Sequence, residues 1–313
     1  MAIERIAILG TGLIGASVGL ALRAHGFSGS IAGWDPSPEQ LHAALRREAV
    51  TVIAGDPLTC AAEANLIILG GPVFTILEWL DRLAPILRDH QLVTDVGSVK
   101  GVICAHARDK YNGTDASGSR QPGFLPGHPM AGKEVSGAEN ADAELFAGAA
   151  WLFTEPTPVT GVILSGAEGE AKDLAVASPQ NHPIASEWRA WVARFGARII
   201  DLDPARHDVL CAWVSHLPQF VSTAMCALLE DEFAANADLL PIGGRALREM
   251  TRLGASPFSM WRDIAHSNSE AIARSLEALE QRLAHMRENL KTPELRDEFE
   301  RANRFRLAKP NKP

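Results

Sequence analysis

Near its start the chain carries a group of residues suited to holding phosphates. Gly10-Thr11-Gly12-Leu13-Ile14-Gly15 directly follows a short apolar run and opens an amphipathic one, and Asp35 stands twenty residues beyond Gly15. Gly10 permits a tight turn, Gly12 lets the backbone approach a pyrophosphate, and Gly15 lets helix and strand pack closely. A helix beginning at Leu13 and Ile14 turns free amides and a positive dipole end toward the same phosphates. Asp35 can accept hydrogen bonds from both hydroxyls of an adenosine ribose. It also repels a 2′-phosphate, and Pro36, Ser37 and Pro38 bring no arginine to hold one, so NAD is expected rather than NADP. A glycine-rich turn in an ordinary α/β domain is the plainer reading. The strand, the helix and the spaced acid together favour the dinucleotide.

Three further segments place polar residues where a core would not want them. Asp95-Val96-Gly97-Ser98-Val99-Lys100 follows a strand-like run, and Gly127-His128-Pro129-Met130-Ala131-Gly132-Lys133-Glu134 follows Gly123 to Pro126. Ligands of open α/β sheets bind beyond the carboxyl ends of strands, where both segments fall. The third, Arg248 to Arg252 through Trp261-Arg262-Asp263, lies in the second half. A histidine titrates near neutral pH and suits general-base work, and an arginine fork suits a carboxylate. Each residue also has an ordinary reading: His128 before Pro129 as a turn histidine, Ser98 as cap of a helix beginning at Val99, Arg252 as a surface ion pair, and His207 as partner of Asp208 alone.

The elements that must position these residues change character along the chain. Strand-like runs at Arg5 to Leu9, Ser30 to Trp34, Leu66 to Leu69, Leu92 to Thr94 and Ala150 to Thr154 flank helix-like stretches at Ile14 to His25, Pro38 to Arg47 and Val73 to Leu87. That alternation feeds a parallel sheet. Tyr111 to Pro122 reads as a loop, and Glu155 to Pro183 as a long variable insertion near a domain boundary. From about Ala185 the strand signal nearly vanishes, apart from Arg198 to Asp201. Ile272, Leu276, Leu279, Leu283, Met286 and Leu290 then recur at helical spacing, a seam that reads as core or subunit interface. The expected division is residues 1–183, 184–291 and a charged, frayed tail over 292–313.

Bulk properties narrow the partners. A net charge of −8 argues against nucleic acid, whose phosphates need a concentrated basic surface, yet leaves room for an anionic small molecule held by local arginines. Cys60, Cys104, Cys211 and Cys226 lie far apart with no metal-type spacing, so reduced thiols and no metal are expected. Glycines interrupt the apolar N-terminus, no small-residue cleavage site follows it, and no other run reaches the uninterrupted apolar length of a membrane span. A cytoplasmic protein is expected.

The motifs GTGLIGAS, DVGSVKG, GHPMAGKE, DPARHD, SHLPQ and REMTRLGAS followed by MWRDI, in this order, resemble the prephenate/arogenate dehydrogenases of tyrosine biosynthesis over roughly Ile6 to Leu290. The resemblance implies an N-terminal Rossmann-type domain, a C-terminal all-helical domain that forms a homodimer, and an active site in the cleft between them. It implies oxidative decarboxylation of prephenate, or of arogenate, with hydride passing to NAD and loss of CO2 making the ring aromatic. His128 would then accept the proton of the ring hydroxyl, Ser98 would orient that hydroxyl and Arg252 would hold a substrate carboxylate. Glu134 corresponds to a residue at the pocket mouth, and His207, Ser215, His216 and Gln219 fall in matching helical motifs. The resemblance points to the catalytic core alone, without a mutase or regulatory segment.

Two departures bear on substrate choice. Gln219 stands where many prephenate-specific members carry histidine, and a glutamine carbonyl can accept from the ammonium of arogenate. Glu249 stands where aspartate is common. A dehydrogenase of the β-hydroxyacid type shares the two-domain plan but relies on a lysine in its helical half, and Ala185 to Leu290 contains none. A protein that senses NAD without turnover would lack the His128, Ser98 or Arg252 positions, and all three are filled.

Overall fold

Leu66 to Leu69 are buried at every position, as expected of a strand shielded on both faces by helices. The computed structural model describes residues 2–154, 182–233 and 239–308, so the insertion read at 155–183 lies almost entirely outside the described residues. The first body alternates β1 (Arg5–Leu9), α1 (Leu13–Ala24), β2 (Ser30–Trp34), α2 (Pro38–Arg46), β3 (Val52–Ile53) and α3 (Pro57–Glu63). It continues with β4 (Leu66–Leu69), α4 (Val73–Leu83), β5 (Leu92–Asp95), α5 (Gly101–Ala107) and β6 (Gly123–Leu125). The strands pair in parallel in the order β3-β2-β1-β4-β5-β6, which is the doubly wound dinucleotide-binding topology.

A second sheet begins where the chain leaves β6. β7 (Gly127–Pro129) pairs antiparallel with β8 (Ala150–Thr154), setting His128 opposite Leu152, and β9 (Arg198–Leu202) lies parallel on the far side of β8. His128 is therefore a strand residue, not a turn histidine. β3, β6 and β7 escaped the sequence reading because runs of two or three residues show no period.

Helix α6 (Pro183–Arg194) buries Trp188 and Val192 in the same core as Ile6, Val18, Phe146 and Trp151. The residues after 183 thus begin by completing the first body rather than opening the helical one. We place the division at Asp203.

The helical half consists of α7 (Pro204–Cys211), a π turn (Ala212–His216), α8 (Leu217–Phe233), α9 (Leu239–Ile242), α10 (Arg245–Thr251) and a 3-10 turn (Arg252–Ala255). α11 (Phe258–Ser267), α12 (Ser269–Glu288) and α13 (Pro293–Leu307) follow. The stretch Pro204–Phe233 is long and apolar enough to cross a membrane, contrary to the expectation from sequence. Its buried His207, Asp208, His216 and Gln219 argue against a lipid setting, since charged and polar groups are costly there and these have partners in the chain.

The predicted seam divides. Ile272 joins the core on the other face of the sheet with Ile76, Leu80, Val99 and Ile103, while Leu283 and Leu290 stand exposed. The charged tail forms helix α13 over Pro293–Leu307, while its last residues, 309–313, where fraying is expected, lie outside the described residues. Pro293 occupies its first turn with Glu294, Arg304 and Arg306 close its last, and Arg282 of α12 pairs with Glu298.

One carboxylate fastens the two halves along α4. The Asp263 side chain, 1% exposed, accepts from the Phe74 amide at 3.2 Å in the first turn of α4 and from Arg262 Nε at 2.9 Å. Removing a cap of this kind costs about 0.5–2 kcal/mol. Asp263→Ala should therefore lower the urea unfolding free energy by about that much, and Asp263→Asn, which keeps an acceptor, by less. Equal losses, or none, would show that the cap does not hold the halves together.

Candidate active site

Helix N-termini of a parallel sheet gather at its carboxyl edge, and each leaves backbone amides without intrahelical acceptors. Side chains of their own caps serve α2 and α3, where Ser37 accepts from Gln40 and Asp56 from Thr59. Asp263 serves α4. At α5, Asp208 Oδ1 accepts from the Lys100 amide at 2.7 Å and Oδ2 from the Gly101 amide at 2.8 Å. That contact settles the reading of Ser98 as a cap: α5 begins at Gly101, and its cap comes from the helical half.

α1 is treated differently. Gly12 offers no side chain, no acid stands in the first turn, and no hydrogen bond among the described residues takes the Leu13, Ile14 or Gly15 amides. Gly10 turns at φ +104°, a conformation open to glycine at little cost. A Cβ at Gly15 would lie 2.0 Å from the Gly10 carbonyl oxygen, so helix and strand approach too closely for any side chain. A Cβ at Gly12 would meet nothing within 4 Å, which leaves open space beside the free amides. Asp35 Oδ2 accepts from the Thr11 amide at 2.8 Å and Oδ1 from the Ser37 amide at 2.9 Å, leaving each oxygen a further acceptor position. Free amides, a dipole end and a preset carboxylate fit the pyrophosphate and ribose of a dinucleotide.

His128 stands at the same edge. Asp95, last residue of β5, accepts from the Gly127 amide at 3.2 Å and from the Gly97 amide at 2.9 Å, and it pairs with Lys100. Lys100 Nζ also donates to the Gly127 carbonyl at 2.8 Å. This buckle ties the start of β7 to the end of β5, two strands or about 10 Å across the sheet from β1 and its glycine turn. His128 is 6% exposed, and its Nδ1 lies 2.9 Å from His207 Nε2. His207 Nδ1 in turn lies 2.8 Å from Asp208 Oδ1. Burial, followed by the neighbouring His207, Lys100 and His216, holds the His128 imidazole well below its ordinary range and therefore neutral near pH 7.

The helical half supplies the rest. The π turn carries Ser215 and His216, and such widened turns recur at functional sites. His216 Nε2 is buried without a hydrogen-bond partner among the described residues, and burial depresses its pKa to about 4. Arg252, at the head of the 3-10 turn and 57% exposed, reaches across to form an ion pair with Glu134. The Gln219 amide is committed within the chain. Its Nε2 donates to the Leu253 carbonyl at 2.7 Å and to Thr223 Oγ1 at 3.1 Å, and its Oε1 accepts from Ser256 Oγ at 3.0 Å. Gln219 thus holds the turn that presents Arg252. Ser98 sits half-buried between β5 and α5.

Sequence reasoning did not give Asp208, Asp263, Asp95 and Lys100 roles at this edge. The motifs DVGSVKG and DPARHD contain three of the four, but nothing in either shows that one supplies the cap for the other. A surface cavity of about 280 Å³ lined by Arg5, Ser30, Asp56 and Cys60 lies along α3 and shares no residue with this site.

A nucleotide half and a helical half that share buried polar residues over a free α1 terminus define a two-domain, dinucleotide-dependent dehydrogenase. Residues 18–162 match the nucleotide-binding domain of prephenate dehydrogenase, and residues 203–304 match its dimerization domain. The chain belongs to the prephenate dehydrogenase family. It is 27% identical to the prephenate dehydrogenase of Lactococcus lactis over 90% of its own length and 69% of that protein. Among solved structures it resembles arogenate dehydrogenase from Synechocystis (28% identity, TM-score 0.69, 96% of this chain and 98% of that one). It also resembles Aquifex aeolicus prephenate dehydrogenase in complex with hydroxyphenyl propionate and NAD+ (25% identity, TM-score 0.74, 97% and 95%).

Buried neutral imidazoles make this joint sensitive to acid. His216 has a folded pKa of about 4 against an ordinary 6.5, and His128 and His207 are shifted the same way, chiefly by burial. Above 6.5 these groups are neutral folded or unfolded and give no pH dependence. Below it the unfolded chain takes up protons that the folded one refuses, so stability should fall progressively from pH 6.5 toward 4. Urea midpoints at pH 7 and pH 5 measure this, and equal midpoints would contradict it.

Proposed function

We propose that the chain oxidatively decarboxylates prephenate, with NAD as hydride acceptor, in tyrosine biosynthesis. The observation that carries the reading is the juxtaposition at one sheet edge of a neutral, buried histidine on β7 and an uncapped dinucleotide cradle at α1. NAD held by the α1 turn and Asp35 would supply the hydride acceptor for the carbinol carbon of the ring. His128 accepts the hydroxyl proton and Ser98 orients that hydroxyl. Arg252 holds a substrate carboxylate, for which Glu134 is the competing anion at the pocket mouth. Asp35 favours a ribose hydroxyl over a 2′-phosphate, which supports NAD over NADP.

Arogenate is the second substrate to weigh, because Gln219 replaces histidine in SHLPQ and the Synechocystis relative is an arogenate dehydrogenase. The internal contacts of Gln219 make its influence indirect, through the position of Arg252. The protein is read as a cytoplasmic homodimer. The exposed apolar residues Val214, Leu228, Leu283 and Leu290 of the helical half, together with the match to a dimerization domain, support the pairing.

Steady-state formation of reduced nicotinamide, with prephenate and arogenate side by side and with NAD and NADP, tests the reading. A general base contributes about 10²–10⁴-fold, so His128→Asn should lower kcat by at least about 100-fold while calorimetric NAD affinity stays near normal. Arg252→Ala should raise substrate KM by about 10- to 100-fold, the loss expected for a charged hydrogen bond. Near-normal kcat/KM in either variant would remove that residue from its role. No turnover of either substrate would remove the function.

A further inference from the structure

One continuous line of polar groups runs from the backbone of the nucleotide half to the catalytic imidazole: the α5 amides, Asp208, His207, His128. We infer that Asp208 and His207 are positioning residues that fix the tautomer of His128, leave its Nε2 as the base, and share the proton it receives. This deepens the proposed reaction and rests on that reading for its catalytic consequence.

The argument begins at the end where hydrogen positions are not in question. Backbone amides only donate, so both Asp208 oxygens are acceptors, Oδ1 toward Lys100 and Oδ2 toward Gly101. Oδ1 also meets His207 Nδ1 at 2.8 Å, and a carboxylate oxygen in that role requires a proton on Nδ1. Burial, its largest influence, holds the His207 pKa below the ordinary value, so the ring is neutral and its Nε2 carries a lone pair. At 2.9 Å from that lone pair, His128 Nδ1 must donate. A neutral His128 with its proton on Nδ1 has its only basic lone pair on Nε2. Cys211 fits the same pattern. Burial raises its thiol to about 12, so it stays protonated 3.5 Å from His207 Nε2 as a weak donor to the same acceptor.

Metal binding is the competing use of these atoms, since donor atoms of His128, His207 and Cys211 all lie within 4.8 Å of one another. Two nitrogens on one tetrahedral zinc, each at 2.0–2.1 Å from it, would be about 3.3 Å apart. The observed 2.9 Å is shorter and matches a shared proton.

The chemistry balances without another reactant. The ring hydroxyl proton moves to His128 Nε2, and the imidazolium so formed still donates from Nδ1 to His207. That second proton can move on to His207 Nε2, bringing the positive charge against the Asp208 carboxylate. Burial and Lys100 oppose the charge at both rings, and Asp208 together with Asp95 favours it at His207.

The tautomers can be read without any turnover. Protein labelled with ¹⁵N-histidine, assigned with His128→Gln and His207→Gln, should show both rings protonated on Nδ1 in a long-range ¹H–¹⁵N spectrum at neutral pH. A proton on His128 Nε2 in the wild-type protein would overturn the inference. Kinetics then test the consequence. His207→Leu, which cannot accept from His128, should lower kcat by about 10- to 100-fold, the range for groups that orient a working imidazole, with both KM values within about twofold. His207→Gln keeps an acceptor though it cannot take up a proton, and it should recover the part of that loss due to positioning, whereas equal kcat in the two variants would overturn the positioning role. If wild-type protein turned over neither substrate, the functional reading would fall, and the spectrum would still decide the tautomer.

Discussion

The structure turns on how helix N-termini at the carboxyl edge of the sheet are satisfied. Each carries amides and a positive dipole end that must find acceptors. α2 and α3 use their own caps. α4 and α5 take carboxylates from the other half of the molecule, Asp263 and Asp208, which adds charged caps to a joint where Ile264 and Ile272 share an apolar core with Ile76 and Leu80. α1 takes none. The same physical demand therefore closes the joint at two helices and leaves an anion site at a third.

Behind the joint lies a costly arrangement. Lys100 and Asp95 are fully buried as an ion pair, and desolvation makes such pairs poor sources of stability. Their value here is positional. Between them they engage the amides of Gly97 and Gly127 and the carbonyl of Gly127, fixing the start of β7 against the end of β5. The Lys100 charge also keeps His128 from holding a proton. The His128 imidazole is thus kept neutral by burial and by a nearby cation, while Asp208 offers its negative charge one imidazole further away.

The dinucleotide cradle was legible because its demands are local: a turn, a close approach, a helix start and an acid at fixed spacing, all within one βαβ unit. His128, Ser98 and Arg252 were legible as residue types in recognisable motifs, but their surroundings were not. Ordinary spacing gave no sign that His128 lies on a strand, that the α5 cap comes from residue 208, or that Gln219 spends its amide on Leu253 and Ser256. The predicted boundary at 184 came from a real loss of strand signal. α6 is nevertheless claimed by the first core through Trp188, and β9 by pairing with β8. The charged tail hid a helix because its apolar residues Phe299, Phe305 and Leu307 are exposed and form no buried face to read.

By itself the sequence determined what depends on neighbours along the chain: strand and helix periods, the glycine turn, the acid at the end of β2, the family of the whole. Tertiary structure decided which helix ends are capped and which is free, and which nitrogen of His128 has His207 beside it. Those are matters of contact between residues about 80 to 190 positions apart. Backbone amides look identical in every sequence, and only the fold shows what meets them.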